Sequence, residues 1–99
     1  MDKNERYQLT CEKKWHEREI RGFIRQRYED IIRATGLSEY ELSIRIGYSK
    51  QTLRQIVIGE RKPSVHALFW FCKNVGITLG QFADADIDEI RKIVRDKFK

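Results

Sequence analysis

The chain contains little of what would place it in several other classes of protein. Its 99 residues include one proline, six glycines and two cysteines. So little proline and glycine excludes a collagen-like repeat and a flexible linker. No apolar run approaches the roughly 20 residues of a membrane-spanning helix, and the charged N-terminus predicts no signal peptide. Cys11 and Cys72 lack partners at metal-ligand spacing, which predicts free thiols in a reducing compartment.

The sequence also lacks the motifs of common enzymes. It has no Gly-x-Ser-x-Gly nucleophile elbow and no glycine-rich loop that could cradle a phosphate. His16 and His66 stand alone, so neither is expected to bind a metal. We therefore expect no enzymatic activity, no cofactor and no membrane partner, and a cytoplasmic location.

The hydrophobic and charged residues are present in the proportions of a compact domain. The composition is 40% hydrophobic and 11% aromatic, enough for one core. Twenty Lys and Arg against 15 Asp and Glu give a net charge of +5, and residues 37–82 hold six basic and three acidic groups. This one-sided segment is compatible with a nucleic-acid partner. A solvated surface of a helical protein is the alternative, and charge alone does not reject it.

Apolar residues recur at helical spacing through most of the chain, so the sequence predicts an all-α fold. The first helix is expected to end at Thr35-Gly36, because glycine enters the left-handed conformation without steric cost. Its apolar face comprises Ile20, Phe23, Ile24, Tyr28, Ile31 and Ile32. The last helix, from about residue 87, carries a stripe of Ile87, Ile90, Ile93, Val94 and Phe98.

Three segments carry the pattern of a helix N-terminus, with a capping residue between two apolar residues that form a hydrophobic staple. The expected caps are Ser38, Ser49 and Thr78. The matching staples are Leu37/Leu42, Tyr48/Leu53 and Ile77/Phe82. A further helix is expected after Pro63-Ser64. The sequence thus places the starts of four helices between residues 38 and 78.

Two of these starts are close enough to predict a helix-turn-helix. The helix that Ser38 opens must end at Ile46-Gly47, and glycine is common in the tight turn of this motif. The second helix is expected over residues 50–58. Its outward side chains suit base edges and phosphates; they are Lys50, Gln51, Arg54 and Gln55. An αα-hairpin with a solvated polar face is the alternative interpretation of this pattern.

The stretch from Leu37 to Ser64, LSEYELSIRIGYSKQTLRQIVIGERKPS, resembles the helix-turn-helix of the lambda repressor-like family (XRE, Cro/repressor type). The resemblance covers about residues 24–83 and rests on the spacing, the caps, both loop glycines and the segment 59–64 together. It implies a five-helix DNA-binding domain over 24–83. Residues 1–23 would then form an N-terminal helical extension, and residues 84–99 an additional C-terminal helix that could serve in dimerisation.

The resemblance also implies a function and a set of site residues. Base reading falls on Lys50, Gln51 and Gln55. Phosphate or additional base contacts fall on Ser49, Thr52, Arg54, Arg61 and Lys62. The implied protein is a sequence-specific transcriptional regulator, expected to be a repressor, that reads the major groove of duplex DNA. It would be encoded by a bacterium or phage and lie on the nucleoid when bound.

Three positions depart from the family pattern. Glu39 stands where the family often has a glutamine that touches phosphate, and a carboxylate would be repelled there. Ile32 and Val57 stand where the family often has an Arg–Glu pair, and two packed aliphatic side chains avoid the desolvation of charges. Trp70 occupies a position that is usually polar.

Two further expectations concern partners. The apolar stripe of the last helix and Trp70 favour a homodimer, because exposed apolar surface usually marks an interface. The alternative is that the stripe folds back over the fourth helix of the same chain and covers Trp70. Two other functions remain open: a helix-turn-helix that has become a protein-interaction module, and an antitoxin that binds both its operator and a toxin.

Overall fold

The computed structural model describes residues 2–99, and within that range it consists of six helices joined by short loops, with no strand. The helices are α1 (Lys3–Thr35), α2 (Glu39–Arg45), α3 (Thr52–Val57), α4 (Val65–Val75), α5 (Leu79–Asp84) and α6 (Ile87–Lys97). The predicted all-α fold is confirmed. None of these six helices has the length and apolar character to cross a membrane.

The first helix is much longer than its apolar face. Asp2 caps it by accepting a 2.9 Å hydrogen bond from the Glu5 N–H, and Gly36 ends it at φ +75°. Thirty-three residues give α1 a length of about 50 Å, close to the 56 Å long dimension of the molecule. The expected boundary between residues 23 and 24 therefore lies inside one continuous helix.

The core forms where the C-terminal half of α1 meets the other helices. Tyr28 of α1 is fully buried, stacks on Phe71 of α4 at 4.2 Å between ring centroids, and meets Phe82 of α5 edge-on at 5.8 Å. Leu42 of α2 and Leu53 of α3 are buried in the same cluster. The apolar faces predicted for these helices thus meet in a single core.

The apolar stripe of α6 is covered by the chain itself. Ile90 and Val94 are fully buried, and α6 packs mainly along α1. Arg27 of α1 fixes the start of this helix by donating a 2.7 Å hydrogen bond to the Ala85 carbonyl. The centre of the stripe thus packs inside the core rather than lying exposed, and the homodimer expected from it stays a prediction. The alternative was that the stripe folds back over the fourth helix and covers Trp70. It is wrong in its detail, since the stripe packs mainly on α1 and Trp70 remains 42% exposed.

Most of the predicted helix starts are correct. The Ser38 hydroxyl accepts from the Glu41 N–H at 3.0 Å, and the Ser64 hydroxyl accepts from the Ala67 N–H at 3.1 Å. At Thr78 both halves of the capping box with Gln81 form. These local hydrogen bonds satisfy N–H groups that the first turn of a helix leaves unpaired.

The expected cap at Ser49 is wrong. Helix α3 begins at Thr52 rather than at residue 50, and its N-cap residue Gln51 makes no side-chain capping bond. The Ser49 hydroxyl is hydrogen-bonded instead to the Thr52 hydroxyl. The expected helix 50–58 is therefore a helix of six residues preceded by a turn.

Candidate nucleic-acid interface

The connection between α2 and α3 is a glycine-centred turn held by backbone hydrogen bonds. Gly47 has φ +84°, and its N–H donates to the Ile44 carbonyl at 3.1 Å. The Tyr48 N–H donates to the Ser43 carbonyl at 2.8 Å, which completes a Schellman ending for α2. A side chain with a Cβ would be strained at this φ. The turn therefore fixes where α3 begins relative to α2.

The start of α3 is capped by a side chain from α2. Ser43 is fully buried, and its hydroxyl accepts a hydrogen bond from the Leu53 N–H at 3.3 Å. That N–H belongs to the first turn of α3, where no intrahelical acceptor exists. Ser43 thus caps the start of α3, the role that was expected of Ser49. The sequence signal for it is a small polar residue at an inward position of α2.

Two aromatic side chains of the region tie the helix-turn-helix to α4. The Trp70 indole N–H donates to the Ile46 carbonyl at 2.7 Å, at the end of α2. The Tyr48 hydroxyl donates to the Ala67 carbonyl at 2.9 Å, and burial raises the pKa of this phenol. Trp70, a departure from the family pattern, therefore supports the end of α2, even though its ring is partly exposed.

The three expected base-reading residues lie near one another at the exposed side of α3. Lys50 and Gln51 are exposed in the turn before the helix, whereas Gln55 is half-buried in it. Gln51 and Gln55 are four residues apart, so they share one face. The Lys50 ammonium stands 5.9 Å from the centre of the Tyr40 ring. This surface thus presents two amides and one ammonium group together.

Thr52 does not belong to that exposed surface. It is buried, with a relative exposure of 7%, and its hydroxyl is engaged with Ser49. The structure therefore gives Thr52 an internal partner, and its expected phosphate or additional base contact stays a prediction. Ser49 itself is exposed at the turn.

Arg54 lies on the same helix but is paired with an acidic group. Its guanidinium is 3.5 Å from the carboxylate of Glu39, in the first turn of α2. The side chains are 56% and 27% exposed, respectively. An exposed ion pair of this kind contributes about 0–1 kcal/mol. Arg54 can therefore leave Glu39 for a phosphate at little cost.

The loop after α3 brings two more cations beside Gln55. Gly59 has φ +85°, which turns the chain so that the N–H groups of Glu60 and Arg61 both donate to the Gln55 carbonyl, at 2.9 and 3.1 Å. Arg61 and Lys62 are exposed. Across the part of the chain that the structure describes, no carboxylate lies within 4 Å of either of them or of Lys50. Seven of the eight predicted DNA-contacting side chains are thus at least partly accessible near α3, Thr52 being the exception.

No family model matches the chain, and no curated protein or solved structure matches it either. Among residues 2–99, no cluster of three or more His, Cys, Asp and Glu side chains is placed to hold a metal ion.

Proposed function

We propose that the protein is a sequence-specific regulator of the lambda repressor type that binds duplex DNA, and that it acts as a repressor. The observation that carries the proposal is the cluster of exposed Lys50 and Gln51 with half-buried Gln55. The loop that bonds to the Gln55 carbonyl carries the exposed cations Arg61 and Lys62 beside this cluster. It would act in the cytoplasm, on the nucleoid of a bacterium or on phage DNA.

The chemistry of this surface suits the edges of base pairs. A glutamine amide pairs with N6 and N7 of adenine, and a lysine donates to O6 and N7 of guanine. Arg61, Lys62 and Arg54 supply charge for phosphates, which sets the register of the protein on the duplex. Six residues make α3 about 9 Å long, so it can enter the major groove and reach only a few base pairs.

The helix-turn-helix is held rigidly enough for such recognition. Its turn is fixed at Gly47, α3 is capped by Ser43, and α4 is bonded to both α2 and the turn through Trp70 and Tyr48. Side chains on a rigid element lose less entropy on binding. The surface therefore needs little rearrangement to meet DNA.

We further propose a homodimer on a two-fold site, because one short recognition helix reads a half-site only weakly. The stripe of α6 is not available for this contact. Val65 and Phe69 on α4 are 64% and 55% exposed and offer apolar surface. Sedimentation of the free protein and of its DNA complex measures the oligomeric state. A monomer bound to a two-fold site would contradict the proposed dimer.

The proposed function is tested by selecting binding sites from a random-sequence duplex pool and measuring affinity by fluorescence anisotropy over a range of salt concentrations. We expect an enriched sequence, and an affinity that falls steeply as salt rises. Absence of duplex binding at about 50 mM salt would contradict the proposal.

The competing function is a protein-interaction module, including an antitoxin. It is favoured by the apolar side chains exposed along the N-terminal half of α1, which are Leu9, Trp15, Ile20 and Phe23. A pure interaction module predicts no binding to duplex DNA even at low salt, whereas an antitoxin predicts operator binding together with a dedicated protein partner. A toxin gene beside this one would favour the antitoxin.

A further inference from the structure

A basic cleft of about 450 Å³ lies between α1 and the loop that follows α3. Its lining includes four basic side chains and two acidic ones: Arg21, Arg25, Arg61, Lys62, Glu17 and Glu60. Ile20, Ile24 and Pro63 contribute apolar wall. In the described part of the chain, no ion pair within 4 Å involves any of the four cations. The cleft therefore carries a small excess of positive charge beside the loop that follows α3.

Arg25 is the cation that the fold positions most firmly. Its Nε donates to the Val57 carbonyl at 3.1 Å, at the end of α3. Its guanidinium also packs against Gly59, where an added Cβ would lie 3.1 Å from the Arg25 Cζ. The left-handed φ of Gly59 and this close approach both favour glycine. Arg25 is thus held in place while remaining exposed.

The cleft shares two cations with a second cleft beside the α2–α3 turn. Arg61 and Lys62 line both clefts, and the second one, of about 460 Å³, reaches Ser49 and the turn. The loop that carries them is bonded to the Gln55 carbonyl. The loop cations Arg61 and Lys62 therefore lie between the α2–α3 turn and the α1 cations Arg21 and Arg25.

We propose that this cleft binds the phosphodiester backbone of the same duplex, at phosphates beyond those near α3. The inference rests on the proposed function. It assigns to α1, upstream of the predicted domain core, the role of extending the DNA contact through Arg21 and Arg25.

A backbone phosphate suits the cleft better than a free anion. Glu17 and Glu60 reduce its formal charge to a small positive excess, which holds a free anion only weakly in physiological salt. A phosphate of a duplex already bound through α3 is instead present at high effective concentration.

The test compares two double variants with the same reduction in charge. Arg21→Gln with Arg25→Gln removes the cleft cations of α1 and keeps a side-chain N–H donor at each position. Lys92→Gln with Arg95→Gln is the control, because both residues are exposed on α6. Affinity for one selected duplex is measured as a function of salt, after circular dichroism has established that each variant is folded.

We expect the cleft variant to reduce the slope of log K against log salt by about two, because each phosphate that the protein no longer neutralises lowers the slope by about 0.9. The control should keep the wild-type slope. As a further arm, Glu60→Gln should tighten duplex binding by removing a carboxylate from the same cleft.

Wild-type slopes in both double variants would overturn the inference while leaving the proposed function intact. A second measurement compares the binding of inorganic pyrophosphate by the wild-type protein and by the cleft variant. If the variant loses pyrophosphate binding while its duplex slope stays unchanged, the cleft serves a free anion and the inference is overturned. If the wild-type protein binds no duplex, the proposed function fails, and the inference fails with it.

Discussion

At the scale of single residues, the pair between Glu39 and Arg54 controls the charge that the helix-turn-helix presents. The carboxylate lies 3.5 Å from the guanidinium and opens α2, which the proposed docking would bring near a phosphate. In the proposed docking, the Glu39 carboxylate would thus oppose DNA in two ways: it would repel a phosphate directly, and it would keep the Arg54 guanidinium paired.

Glu39→Gln should therefore bind duplex DNA more tightly than the wild-type protein. Arg54 would be freed for a phosphate, so we expect the salt slope to steepen by about one. The free energy of unfolding should change by less than about 1 kcal/mol, because an exposed ion pair contributes no more than that. The matched control is Glu89→Gln, an exposed acidic residue in the first turn of α6. Unchanged affinity in Glu39→Gln would show that position 39 is remote from the duplex.

Ser43 is a second residue whose role can be isolated. Ser43→Ala leaves the Leu53 N–H of α3 without its buried acceptor, so the free energy of unfolding should fall by about 1–3 kcal/mol. Ser49→Ala removes only a hydroxyl–hydroxyl contact and should cost less. Urea denaturation of the two variants compares them directly. Equal losses would mean that Ser43 does not cap α3.

Single residues also show where sequence patterns reach their limit. Ser38, Ser64 and Thr78 were predictable because each bonds to a backbone N–H three residues ahead. The cap of α3 was not, because it comes from Ser43, ten residues before its partner. The hydrogen bond from Trp70 to Ile46 spans 24 residues and was equally out of reach. Local signals predict local bonds, and the start of α3 depends on a distant one.

At the scale of secondary-structure elements, α6 is the helix whose observed position differs most from the role that the sequence predicted for it. The helical periodicity located the stripe correctly but could not tell which surface covers it. The structure places Ile90 and Val94 in the core, completely buried. The last helix, expected as an addition to the five-helix domain, is therefore part of the core.

Deleting residues 86–99 should consequently unfold the chain or leave it strongly destabilised. Removal of a single buried aliphatic side chain already costs about 2–5 kcal/mol, against a total stability of about 5–15 kcal/mol for a typical domain. Thermal unfolding followed by circular dichroism measures the effect. Val94→Ala is a milder companion, expected to lower stability without abolishing the fold. A truncated chain with the melting temperature of the full chain would contradict this role of α6.

The turn and helix α3 were only partly predictable. The sequence located the turn at Gly47 correctly, and Lys50 and Gln51, which it predicted to face outward, are exposed. It overestimated the length of α3, which spans Thr52–Val57, because the turn before it is also rich in residues that helices accept. Ile32 and Val57, which stand where an ion pair was expected, fit the apolar surroundings, since Ile32 belongs to the core cluster and Val57 packs against that cluster.

At the scale of the whole molecule, the shape is set by the projection of α1. The radius of gyration is 15.8 Å, whereas a compact chain of this size has one of about 13 Å. The apolar face predicted for α1 is used only in its C-terminal half, while Ile20 and Phe23 stay exposed. The helical periodicity predicted one continuous apolar face along α1. It carries no information on how far along α1 the other helices extend, and so on which part of the face they cover.

The two cysteines report on the integrity of this arrangement. Cys11 is exposed on α1, whereas Cys72 is buried in the core and burial raises its pKa to about 11. Because the thiolate is the reactive form, Cys72 stays protonated and unreactive at about pH 8. Titration with Ellman's reagent should find one fast thiol in the native protein and two after unfolding. Two fast thiols in the native state would show that α4 is not packed as described.

The central claim is that Gln51 and Gln55 read base pairs, and one comparison tests it most directly. The affinities of the wild-type protein and of Gln51→Ala with Gln55→Ala are measured on a selected duplex and on random duplex at the same salt concentration. The account predicts that discrimination between the two duplexes falls by about 1–3 kcal/mol for each base that the double variant no longer reads, with its affinity for random duplex unchanged. Equal weakening on both duplexes, or no weakening on either, would contradict it.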